Sequence, residues 1–140
     1  IKKRLKKFPQ NNMHSIVGEM ESPNFPIALD KILIIMTYHD SVWTKVNRDQ
    51  MNQSVFDALS SGGIYGILDH HAQTGRGIDD CHSIHRIEKD FVVDEVLKAG
   101  FDLEDESDLL ENTDDNLTDM VFEKHIRDRT SRFLLRFKKP

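Results

Sequence analysis

Polar side chains stand directly behind apolar runs at three places in the sequence. Lys31-Ile-Leu-Ile-Ile-Met36 leads into Thr37-Tyr38-His39-Asp40, Ile64 to Leu68 leads into Asp69-His70-His71, and Met13 to Val17 leads into Gly18-Glu19-Met20-Glu21. Imidazole beside carboxylate is suited to positioning a substrate or exchanging a proton with it near neutral pH. A buried strand has no structural need of a His-Asp pair at its end, whereas loops at that position commonly carry binding groups. His39, Asp40, Asp69 and His70 are therefore candidate site residues. Each also has an architectural reading: His39 capping a turn, Asp40 as a helix N-cap, Asp69 orienting a loop in an Asx-turn.

The histidines open a second chemistry. His39, His70, His71, His82 and His85, with Asp40 and Asp69, are the imidazole and carboxylate ligands that zinc, nickel or iron accept. Against a metal stand the lack of an HExxH pattern and the position of His82 and His85 in a loop rather than on a helix face. Cys81 is the sole cysteine, so it forms neither a paired ligand motif nor a disulfide. No GxSxG elbow is present, and Gly75-Arg76-Gly77 lacks the Lys and Ser/Thr of a Walker loop.

The elements that must position these residues follow from periodicity. The continuous β-branched run Lys31–Met36 reads as a strand covered on both faces, as in a parallel sheet. Met51, Val55, Phe56 and Leu59 recur at helical spacing, with Asn47 as N-cap and Gly62-Gly63 as the stop. Ile64 to Leu68 reads as another buried strand, and Gln73 to Ser83 as a loop. Glu88 to Ala99 is a second helix, closed by Gly100. Phe101 to Leu110 is an acidic, partly exposed strand, Glu111 to Asp119 a polar loop, and Arg132 to Lys138 an antiparallel strand with one better buried face. Met13 to Val17 reads as a further short strand. Strand–helix alternation of this kind predicts an open α/β sheet, whose ligand crevice lies outside the carboxyl ends of the strands.

Composition narrows the class. The 140 residues suit a single domain spanning 1–140, and 38% hydrophobic with 31% charged residues is a globular balance. A net charge of −5 argues against nucleic acid as a partner. No apolar run approaches the roughly 20 residues of a membrane span, and no signal peptide is visible at Ile1, so a cytoplasmic location is expected. Lys2, Lys3, Arg4, Lys6 and Lys7 read as the solvated last turn of a helix, ahead of a phosphate or anionic-lipid contact.

The run Leu59-Ser-Ser-Gly-Gly-Ile-Tyr-Gly-Ile-Leu-Asp69 resembles the helix end and following strand of class I S-adenosylmethionine (SAM) methyltransferases. The wider pattern is similar to a bacterial group of predicted methyltransferases. It takes in Thr37-Tyr38-His39-Asp40, Gly75-Arg76-Gly77, His85-Arg86-Ile87, Val96-Leu-Lys-Ala-Gly-Phe101, Glu106-Ser-Asp-Leu-Leu110 and Arg132 to Pro140. The resemblance implies a partial Rossmann-like α/β sheet, mostly parallel with an antiparallel C-terminal strand and helices on both faces. It implies SAM as cofactor, with Gly18, Glu19 and Met20 against the adenine and Thr37, Tyr38 and His39 beside the methionine portion. Asp69, His70 and His85 would then face the methyl acceptor, where a base or positioning group is useful.

The chain departs from that pattern at its start. The first strand, the glycine-rich loop and the ribose-holding acidic residue would precede residue 1, and no glycine present opens a helix with GxG spacing. The resemblance therefore leads us to expect the C-terminal part of such a fold, with its activity impaired. The edge beside Ile32 to Met36 should then be covered, by the Met13–Val17 strand or by a second copy in a homodimer. Three functions follow: SAM-dependent methyl transfer to an unidentified acceptor, a non-catalytic α/β module that self-associates or binds a partner, and a metal-dependent enzyme.

Overall fold

A computed structural model describes residues 2–26 and 28–140; Ile1, where the signal-peptide reading falls, lies outside the described residues. Helix α1 (Lys2–Lys7) carries Arg4, Lys6 and Lys7 in its last turn, where cations complement the helix dipole. Strand β1 (Leu29–Ile35) follows, then the short helix α2 (Asp40–Trp43) and helix α3 (Arg48–Ala58). Strand β2 (Leu59–His70), helix α4 (Lys89–Lys98), strand β3 (Asp102–Ser107) and strand β4 (Arg132–Lys138) complete the order.

The strands form one four-stranded sheet in the order β1-β2-β4-β3. β1 and β2 are parallel, and β4 is antiparallel to both β2 and β3, so the C-terminal strand alone reverses direction. The α/β architecture and the reversed last strand are as expected.

Local signals explain the helices. The Asn47 side chain accepts the Gln50 N–H at 3.1 Å and caps α3, whose Met51, Val55 and Ala58 are buried. α3 runs into β2 without a loop, so β2 begins at Leu59 rather than Ile64. Gly62, with φ of 77°, lies within the strand rather than ending the helix. Gly100 follows α4 with φ of 98°, the left-handed backbone that closes a helix without cost to glycine. The Glu88 carboxylate accepts the amides of Gly75 and Gly77 at 2.9 and 2.6 Å, tying the loop after β2 to the start of α4.

Register sorts the sheet into two unlike faces. Ile32, Tyr65 and Phe137 lie opposite one another, as do Ile34, Ile67 and Leu135, and this face meets Met51 and Val55 of α3 and Val92 and Val96 of α4. Full burial of each large side chain contributes about 1.5–3 kcal/mol. The opposite face carries Leu33, Ile35 and Leu134, with Leu33 62% and Ile35 56% exposed. Helices on both faces were expected; among the described residues α3 and α4 cover one face only.

Met13–Val17 is not a strand. These residues are irregular and exposed, and β1 pairs with β2 alone, so this segment does not cover the β1 edge. A five-residue apolar run carries a propensity, but a strand also needs a partner, and none of its backbone groups reaches one in the sheet.

Candidate active site

The carboxyl ends of β1 and β2 lie side by side, and the residues after them meet. Met36 turns the chain with φ of 57° while its N–H donates to the Leu68 carbonyl at 2.8 Å. The chain then sweeps Thr37-Tyr38-His39 over the end of β2. His39 enters α2, and its backbone N–H donates to Asp69 Oδ2 at 2.9 Å. Its ring Nδ1 lies 2.7 Å from Asp69 Oδ1, which also accepts the His70 N–H at 2.8 Å. Asp69 is wholly buried, so three donors replace its lost water.

Because Nδ1–H is committed to Asp69, the second ring nitrogen of His39 is the one left for chemistry. That Nε2 lies 3.2 Å from Asp40 Oδ1 and 3.3 Å from His85 Nδ1. His85 reaches the cluster from the loop after β2, with its own backbone at φ of 58° and its ring against Phe122. Asp40 also accepts the Trp43 indole N–H at 3.0 Å. Burial disfavours the imidazolium of His39, but the hydrogen bond and charge of Asp69, with the charge of Asp40, outweigh it and hold His39 above the ordinary histidine value.

His39, Asp40, Asp69 and His85 thus form one cluster. His70 adjoins it, with ring centroids 5.9 Å from His39, but its Nδ1 meets Thr130 Oγ1 at 2.8 Å. Burial, with the nearby His39 and Arg86 charges also opposing protonation, pushes His70 down to about 4 despite Asp69. His71 packs on Phe133 and His82 near Trp43, outside the cluster. Tyr38 turns inward: it is fully buried, its hydroxyl donates to Glu95 at 3.1 Å and accepts from Asn52 at 2.9 Å, and burial beside Glu95 raises it well above a normal tyrosine. Only its backbone borders the rim.

Sequence reasoning did not mark Thr130, Trp43 or Phe122, which hold His70, Asp40 and His85. An indole three residues after Asp40 was the one available signal, since that spacing brings side chains together on a helical turn. Nothing local links Thr130 or Phe122 to the rim.

No family model matches the sequence, and no curated protein does. Solved structures match closely in shape. The O-methyltransferase from a trans-AT PKS multienzyme of Brevibacillus brevis, in complex with S-adenosyl-L-homocysteine, superposes with a TM-score of 0.67 at 16% identity, covering 99% of this chain and 53% of its own. The geranyl diphosphate C-methyltransferase from Streptomyces coelicolor A3(2) gives 0.67 at 11% identity, covering 99% of this chain and 58% of its own. The (4+2) cyclase SpnF gives 0.59 at 14% identity, covering 88% and 55%.

This is the class I SAM methyltransferase fold. The chain spans little more than half the length of these structures. On this methyltransferase scaffold, Gly18, Glu19 and Met20 line a cavity of about 300 Å³ together with Ile34, Phe25 and Met51. Apolar walls and one carboxylate fit a flat ring bearing an amino group. Thr37 is exposed at the neighbouring rim. The described glycines do not fit the rest of a SAM site. Gly75 and Gly77 already give their amides to Glu88, Gly62, Gly63 and Gly66 lie in β2, and Gly100 ends α4.

Proposed function

We propose that this chain forms the acceptor side of a SAM-dependent methyltransferase acting on a substrate that loses a proton as it is methylated. The observation that carries the reading is the His39 imidazole, tied through Nδ1 to buried Asp69 and presenting Nε2 between Asp40 and His85. When bound, SAM would supply an electrophilic methyl group; Gly18, Glu19 and Met20 would hold its adenine, and Thr37 and the Tyr38–His39 backbone its methionine portion. Asp69 fixes the tautomer and orientation of His39. Nε2 takes the proton from an acceptor O–H or N–H held at the rim, while His85 and Asp40 align that acceptor. Alignment supplies much of the rate in a displacement of this kind, and the base contributes about 10²–10⁴-fold.

Calorimetry of the chain with S-adenosylhomocysteine tests the reading. Saturable binding supports it, and absence of heat at millimolar ligand overturns it for this chain.

A second reading is a non-catalytic α/β module that self-associates as a homodimer through the β1 edge and the face bearing Leu33, Ile35 and Leu134. The exposure of those apolar side chains favours it, because contiguous apolar surface marks interaction sites. The (4+2) cyclase among the matches also uses this fold for another chemistry. Sedimentation equilibrium decides: a dimer supports the module, and a monodisperse monomer removes it.

A further inference from the structure

We infer that His39 Nε2, Asp40 Oδ1 and His85 Nδ1 are a preformed three-ligand site for a divalent transition-metal ion of the zinc class. The three atoms are separated by 3.2, 3.3 and 3.7 Å. Zinc binds imidazole and carboxylate at about 2.0–2.2 Å, which places the ligand atoms of a tetrahedral ion about 3.3–3.5 Å apart. The observed triangle has a point about 2.0 Å from all three corners, so an ion fits with little adjustment.

The set is selective. Among the described residues these three alone converge as ligands, while His70 turns to Thr130 and His71 and His82 lie apart. Two nitrogens and one carboxylate oxygen suit zinc, cobalt or nickel rather than the all-oxygen shells of calcium and magnesium. The support around a metal-bound histidine is also built in: the remaining nitrogen of His39 donates to buried Asp69, the carboxylate–histidine arrangement that orients a ligand ring. Asp40 and His85 are each partly exposed, so ions have an entry and the fourth position faces the rim.

This site stands independently of methyl transfer, but the two meet at one atom. An ion takes the Nε2 lone pair of His39 that proton acceptance requires, so a loaded chain cannot use His39 as a base.

The test uses the full chain, freed of metal with a chelator and titrated calorimetrically with Zn²⁺ alone in a non-coordinating buffer. One ion per chain is expected, and Co²⁺ should give the intense visible absorption of a four-coordinate ion. Asp40→Asn and His85→Asn should each weaken binding more than tenfold. Asn is chosen at position 85 because it tolerates the left-handed backbone there. His125→Asn, which alters the separate surface pair with Asp119, should leave affinity unchanged. No saturable binding, or binding that survives both Asp40→Asn and His85→Asn, overturns the site. No SAM analogue enters the titration, so its outcome is separable from the cofactor test.

Discussion

Two buried aspartates, Asp69 and Asp115, show how this molecule separates architecture from chemistry. Asp115 meets both terminal nitrogens of Arg86 at 3.0 and 2.9 Å and also accepts the amides of Ser131 and Leu117 at 2.6 and 3.0 Å. Arg86 also donates to the carbonyls of Asp119 and His71. Both side chains are sealed from solvent. Asp69 is equally sealed and accepts three hydrogen bonds, but its side-chain partner is an imidazole with a second nitrogen left over, and that nitrogen looks toward Asp40 and His85. A network closed at both ends fixes the long loops after β2 and β3. A network left open at one end holds a reactive atom just beneath two partly exposed side chains, Asp40 and His85.

The largest expected effect tests the closed network. Asp115→Asn leaves Arg86 as a buried charge without a counter-ion, and breaking such a pair from one side costs about 3–5 kcal/mol. Urea denaturation measures this, while Zn²⁺ affinity per folded molecule should be unchanged. A loss under about 1 kcal/mol would show that Arg86 is not held by its carboxylate and would remove the contrast with Asp69.

The next effect is a pH response, and it separates two histidines that lie side by side. His70 is held near 4 by burial, against about 6.5 in the unfolded chain, so below pH 6.5 the unfolded state takes up a proton that the folded state refuses. Stability should therefore fall as pH drops from about 6.5 to 4, by about 3 kcal/mol at most. His39 is shifted the other way. Its contribution is whole below pH 6.5 and is lost as pH climbs through its raised value. Denaturation of the metal-free chain at pH 7 and pH 4.5 reads the first effect, and His70→Gln should flatten it.

Much of the fold was legible because it rests on local signals. The β-branched run of β1, the Asn47 cap of α3, the glycine after α4 and the alternation of β4 each act within a few residues. The rim was legible for a related reason: His39 comes shortly after β1 and Asp69 stands at the carboxyl end of β2, two strands that pair in parallel. Met13–Val17 misled because its apolar run has no sheet partner. The Arg86–Asp115 pair was opaque, since its members are 29 residues apart in loops that carry no period. The inward turn of Tyr38 was hidden likewise, because Glu95, which accepts its hydroxyl hydrogen bond, lies on α4.

The smallest effect sharpens the open network from inside. Asp69 and Asp40 both favour charged His39, but Asp69 does so through a hydrogen bond and its charge, and Asp40 through charge alone across a partly exposed contact. In metal-free protein, Asp69→Asn should lower the titration midpoint of His39, followed by NMR, and should also disturb the hydrogen bonds to the His39 and His70 amides. Asp40→Asn should lower the midpoint less. Its stability should change by under about 0.5 kcal/mol, because the amide oxygen can still accept the Trp43 indole N–H. Equal midpoint shifts in the two variants would make the outer carboxylate as important to His39 as the buried one. His39 would then be held from the solvent side, and the distinction between a supporting carboxylate beneath and a working edge above would fail.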